Sequence, residues 1–281
     1  MGYSAMESLN AFKIRWFIEN CCEIKLPSGK TIVIDPMLSD KKDDSVDHWH
    51  QQFYSGFGPD TLEGCDCVIL SHVHGDHIAS LREVYDKWHG PIVVNHASAL
   101  ALALHEDIAP GAFIPAAEGT TLNFGDFKVT PLAGRHTNRV SAAKPSQSKL
   151  FGNNEKEREF GILGSLYNNN YILELGDNFR IALDSGYYEA DLSEWEKYHP
   201  NLVLRHAERD PQYEIEMFKD ILDRTGASYA LVLCNQMFEP EEREARNRSI
   251  NAALAEAGIN GRVINAKPGQ WLNFSFGYQA E

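Results

Sequence analysis

Basic residues are scarce in this chain: 26 lysines and arginines face 40 aspartates and glutamates, a net charge of −14 over 281 residues. No stripe of Lys and Arg interrupts that imbalance, so the chain repels a polyphosphate backbone, and polymeric DNA or RNA is excluded as a partner. Long apolar runs are also missing. No window approaches the roughly 20 residues that cross a bilayer, and Met1 to Asn10 have neither the basic nor the apolar stretch of a secretory leader. Cysteine is sparse and odd in number (Cys21, Cys22, Cys65, Cys67 and Cys234), which argues against a disulfide framework and for a reducing, cytoplasmic setting. There is no internal repeat and no low-complexity tract. A hydrophobic content of 43% still allows a large core.

What the chain concentrates is histidine. Val68-Ile69-Leu70-Ser71-His72-Val73-His74-Gly75-Asp76-His77 is an apolar strand running into a loop with three histidines and a carboxylate within six residues. Imidazole nitrogens and carboxylate oxygens are the donors that zinc, manganese and iron accept, and a buried strand fixes their backbone in advance. In an extended loop, side chains two apart point the same way. His72 and His74 can therefore close on one ion, while Asp76 and His77, at the turn into a helix, face a second. Ile78, Leu81, Val84, Tyr85 and Trp88 follow at helical intervals, with Asp76 placed to cap that helix.

On these residues the chain resembles the metallo-β-lactamase superfamily, whose signature His-x-His-x-Asp-His is matched by His72, His74, Asp76 and His77. The resemblance implies an α/β fold: a four-layer αββα sandwich of mixed β-sheets with helices on both outer faces and the metals at one edge. It implies that Asp35, after Thr31-Ile32-Val33-Ile34, supports the site. His136, in Leu132-Ala133-Gly134-Arg135-His136, would complete the first metal, and Asp184, in Ile181-Ala182-Leu183-Asp184-Ser185-Gly186, would bridge both ions. The usual last histidine is missing from Tyr229 to Gln236. Asn235 stands nearest and offers an amide oxygen, a harder donor that suits manganese or magnesium better than zinc. His206, at the end of another expected strand, is the alternative source of a donor.

The expected metal ligands are therefore His72, His74, Asp76, His77, His136, Asp184 and Asn235. Asp76 and Asp184 would serve as catalytic carboxylates. The cofactors would be two divalent ions, zinc or manganese with iron also acceptable, the second loosely held. The layout is similar to the branch of ascorbate-6-phosphate lactonases and N-acylphosphatidylethanolamine phospholipase D.

The rest of the chain reads as one domain, 1–281. Strands are expected near 13–17, 21–26 and 30–35, the last two turning through Pro27-Ser28-Gly29. Hairpins follow across Gly125-Asp126 and Gly176-Asp177, then helices and strands alternate to the end. Asp40 to Gly58, with Trp49, Phe53, Tyr54 and Phe57, reads as a pocket wall. Residues 140–159, polar and with Lys144, Lys149, Lys156 and Arg158, read as a lid or a solvated insertion. The function expected is hydrolysis of a small anionic ester, a phosphodiester or lactone, by a metal-bound hydroxide. The alternative is a metal-binding or ligand-sensing protein of the same fold. The partners expected are a small anionic substrate and, compatible with the sequence, a second copy of the chain.

Overall fold

The computed structural model describes residues 11–38, 56–136, 155–176, 179–184 and 188–275. Its first sheet begins as a meander, because turn residues separate three apolar runs. β1 (Ala11–Trp16), β2 (Cys22–Lys25) and β3 (Thr31–Ile34) pair antiparallel, and Gly29 takes the left-handed conformation, φ 90°, that the second turn needs. The sheet then becomes parallel as β4 (Cys67–Ile69), β5 (Ile92–Asn95) and β6 (Phe113–Ala116) join β3 in that order. Helices α1 (Gly75–Ile78), α2 (Leu81–Trp88) and α3 (Ala99–His105) lie in the crossovers. β3, β4 and β5 are buried throughout, as strands covered on both faces must be.

The second sheet follows the same plan. β7 (Leu122–Asn123), β8 (Phe127–Gly134), β9 (Asn168–Leu175) and β10 (Phe179–Leu183) are antiparallel, and β11 (Leu202–His206), β12 (Tyr229–Leu233) and β13 (Arg262–Ile264) continue in parallel. α4 (Glu155–Leu166) leads into β9, while α5 (Tyr188–Tyr198), α6 (Pro211–Thr225) and α7 (Pro240–Glu256) are the crossovers. β14 (Leu272–Ser275) returns to pair antiparallel with β1, giving two seven-stranded sheets among the described residues.

Three apolar clusters mark the three seams of the expected αββα sandwich. Ile24, Ile34 and Ile69 meet Leu173, Ile181, Leu204 and Leu231 between the sheets. Val33, Val68 and Val94 pack outward onto Leu81, Val84 and Leu102, and Ala182, Val203 and Ala230 pack onto Leu192, Trp195, Phe218 and Leu254. Alternate residues of one strand, such as Leu202, Val203 and Leu204, thus serve opposite seams.

Two elements differ from expectation. β6 was not foreseen, and the expected insertion at 140–159 runs into α4: residues 140–154 lie outside the described part, and 155–159 form the first turns of that helix. Of the expected pocket wall, residues 40–55 lie outside the described part, while Phe57 packs edge-on against Phe17 with ring centroids 5.4 Å apart.

Candidate metal centre

Strand ends from both sheets converge at one edge of the sandwich. β4 runs through Leu70 and Ser71 to His72, β8 ends two residues before His136, Asp184 directly follows β10, and β11 ends in His206. The two sheets are tied together here: Tyr171 donates its hydroxyl to Leu70 O at 2.9 Å, and Asn169 N donates to Ser71 O at 2.9 Å.

His72, His74 and His136 each bring a ligating nitrogen to within 4.8 Å of the others. Among the described residues they are the one group of three or more His, Cys, Asp or Glu so close. His72 is buried and the other two half-buried, so the cluster opens on one side to solvent. Nε2 of His72 is buried without a hydrogen-bond partner, a costly state for a polar atom unless a cation takes its lone pair. The other nitrogens show how the rings are held. His72 Nδ1 lies 3.0 Å from Ser71 Oγ, and His74 Nε2 lies 3.2 Å from Gly161 O and 3.1 Å from Ser165 Oγ on α4. A His74 that donates Nε2–H to the Gly161 carbonyl keeps Nδ1 as its acceptor, the usual support of a metal-binding imidazole.

Burial pushes the His72 ring well below the ordinary histidine pKa, lowers that of His74 and takes His136 down to about 3. All three are neutral at pH 7, the form that coordinates. Three neutral imidazoles with one open side fit a divalent ion in a catalytic rather than a structural site.

The cradle needs α4 close by. A Cβ on Gly164 would come 2.8 Å from His74 Nε2, which explains a glycine in a helix where it costs about 1 kcal/mol relative to alanine. Gly164→Ala is therefore expected to displace His74 and weaken metal binding about 10-fold or more, as read by calorimetric titration. Unchanged affinity would contradict this account of α4.

Asp35 underpins the motif loop. It is fully buried, and its carboxylate accepts from Ser71 N at 2.7 Å, Ser71 Oγ at 2.5 Å and His77 Nδ1 at 2.8 Å. Burial alone would lower the pKa of His77, but the Asp35 and Asp76 carboxylates outweigh it and hold the ring at about 9. For Asp76 the balance is reversed: burial works to raise its pKa, and His77, His74 and a backbone N–H bring it below the ordinary value. Asp184 is buried in an ion pair with Arg205, and His206 Nδ1 lies 3.0 Å from its Oδ2. Glu19, Asp35 and Cys234, three of the six non-glycine residues with positive φ among those described, border this region. Backbone strain of this kind gathers where function holds the chain in place.

A domain model described as the β-lactamase superfamily domain matches residues 30–207, more than half of the chain and all of the histidine cluster. The chain belongs to the metallo-β-lactamase superfamily. Similar proteins include a UPF0173 metal-dependent hydrolase from Cupriavidus necator, 24% identical over 93% of this chain and 86% of the relative. Another, from Thermodesulfovibrio yellowstonii, is 23% identical over 60% of this chain and 61% of the relative, so the match spans less than two thirds of that relative's length. Among solved structures, the metallo hydrolase Igni18 from Ignicoccus hospitalis superposes with a TM-score of 0.62 at 17% identity, covering 95% of this chain and all of that one. An isothiocyanate hydrolase from Delia radicum gut bacteria gives 0.61 at 16% identity, covering 94% of this chain and 99% of that one. At these identities the structural likeness shows the fold.

In this metallo-β-lactamase superfamily member the last of the expected ligands, Asn235, lies just past the end of β12. Its Nδ2 donates to Asn265 Oδ1 at 2.5 Å, its own Oδ1 is buried without a hydrogen-bond partner, and it lines a cavity of about 10 Å³ with Val232, Phe238 and Arg246. Cys234 adopts a left-handed conformation, φ 49°, which ends the strand and starts a short 3-10 turn over Asn235–Met237. Cys234 is the residue left facing the carboxylates. Its thiol donates to Asn20 Oδ1 at 3.4 Å, and burial pushes its pKa up, with Glu19, Asp76 and Asp184 adding to the effect. Sequence reasoning missed Arg205, Cys234 and the α4 residues Gly161, Gly164 and Ser165. An arginine closing an apolar strand was the visible signal for the first of these.

Proposed function

We propose that this protein is a metal-dependent hydrolase acting on a small anionic ester, a phosphodiester or a lactone, with zinc or manganese held by His72, His74 and His136. The observation that carries the reading is the convergence of three neutral imidazoles on an open-sided point, with His72 Nε2 buried and otherwise unpartnered. Relatives described as metal-dependent hydrolases support it, and the resemblance of the sequence to the lactonase and phospholipase D branch suggests the ester class. When bound, such an ion lowers the pKa of coordinated water toward neutrality and polarises a carbonyl or phosphoryl oxygen.

The side chains supply the rest. Asp76, whose pKa the protonated His77 beside it brings below the ordinary value against the effect of burial, is the base that takes the proton of an attacking water. Asp35 locks the His77 ring and the Ser71 backbone, so the loop is ordered before substrate arrives. Asp184, expected to share catalysis, is engaged by Arg205 and His206, so its role is positional. On a chain of net charge −14, a cation at the open face is what draws a small anion.

Hydrolysis of bis-p-nitrophenyl phosphate and of simple lactones, with zinc or manganese added, tests the reading. Turnover should depend on metal and fall about 10²–10⁴-fold in Asp76→Asn, with the ion retained. Tight metal binding without turnover on either substrate class would favour the ligand-sensing alternative, to which the ion-paired Asp184 lends some support.

A further inference from the structure

The resemblance to two-metal hydrolases implies a second ion, and the carboxylate expected to bridge to it does not fit one. Asp184, expected between two cations, already has two nitrogen partners on Oδ2, the guanidinium Nη1 of Arg205 and His206 Nδ1. Arg205 is 1% exposed and is held in place by Glu208 Oε1 at 2.7 Å and Met217 Sδ at 3.1 Å. A guanidinium does not give up its proton inside a protein. His77 gives Nδ1 to Asp35, which leaves Nε2 as its open nitrogen, and the strand end where a histidine is usual presents instead the buried Cys234 thiol, which donates to Asn20. Asp76, His77, Asp184 and Cys234 are all described, yet they do not assemble into a second cluster of the kind the three histidines form.

We infer that the centre holds a single metal ion, on His72, His74 and His136, and that the Arg205 guanidinium on Asp184 takes the place of the second cation. The argument is one of charge. A carboxylate recruits a divalent ion by its negative charge, and a fixed guanidinium on that carboxylate both cancels the attraction and repels the newcomer. The site thereby keeps one removable and one permanent positive charge. This inference rests on the hydrolase reading for the first ion.

Metal content tests it independently of turnover. The full chain is stripped, reloaded with excess zinc or manganese, passed through gel filtration and analysed by mass spectrometry, while a cobalt-loaded sample is examined by electron paramagnetic resonance. One ion per chain and the spectrum of an isolated cobalt centre are expected. Two ions per chain, or an exchange-coupled cobalt pair, would overturn the inference and leave the hydrolase reading standing, whereas no bound ion would remove both. Cys234→His restores an imidazole at the strand end with Arg205 unchanged, and it too is expected to bind one ion. Uptake of a second by that variant would show that the missing histidine, not the guanidinium, kept it out, and would likewise overturn the inference.

Discussion

His72→Ala is expected to abolish metal retention and to lower kcat/KM on the order of 10³-fold or more, equivalent to about 4 kcal/mol of transition-state stabilisation. His72 is the buried member of the triad, and its Nε2 has no partner in the protein. Removing the ring therefore takes away a ligand without breaking a hydrogen bond to that atom, and the metal-free fold should persist. Metal analysis after gel filtration, far-ultraviolet circular dichroism and ester hydrolysis together separate loss of the ion from loss of the fold. A folded variant that kept its ion and turned over within about tenfold of the parent would show that the three imidazoles are not the seat of the chemistry.

Asp35→Ala should carry the largest stability cost among the residues around the centre. Its carboxylate is fully buried and accepts three hydrogen bonds, two from Ser71 and one from His77. Removing it strands a buried imidazole and a backbone N–H together. Breaking a buried pair from one side costs about 3–5 kcal/mol, a large fraction of the roughly 5–15 kcal/mol by which a domain is stable. Urea titration of the metal-free protein checks this, since there no ion can compensate. A loss below about 1 kcal/mol would mean that the loop is held by other contacts and that Asp35 is incidental to it.

The elements that could be read from the sequence are those whose signals are local. The strand ending at Ile69 is a short apolar run, and its exit into the following loop brings His72 and His74 close together. The hairpin of β9 and β10 and the parallel strands β11 and β12 were visible for the same reason, with the strands falling where alternating and continuous apolar runs put them.

Other features depended on contacts between distant residues. Gly161 and Gly164 weaken the helical signal of α4, and Gly164 is there because His74, 90 residues earlier in sequence, lies against that helix. Arg205 follows three apolar residues of β11, and only the fold shows that Asp184, just past the end of the neighbouring strand, neutralises it. The end of β12 turns on one left-handed residue, φ 49° at Cys234. Nothing in Leu233-Cys234-Asn235-Gln236 announces that conformation, because cysteine rarely adopts it.

Anomalous diffraction from crystals of the zinc- or manganese-loaded protein, recorded at the absorption edge of that metal, reads the arrangement directly. A peak about 2.0–2.3 Å from one ring nitrogen of each of His72, His74 and His136 is the predicted result. An ion seated elsewhere, or no peak among those three rings in fully loaded protein, would contradict it.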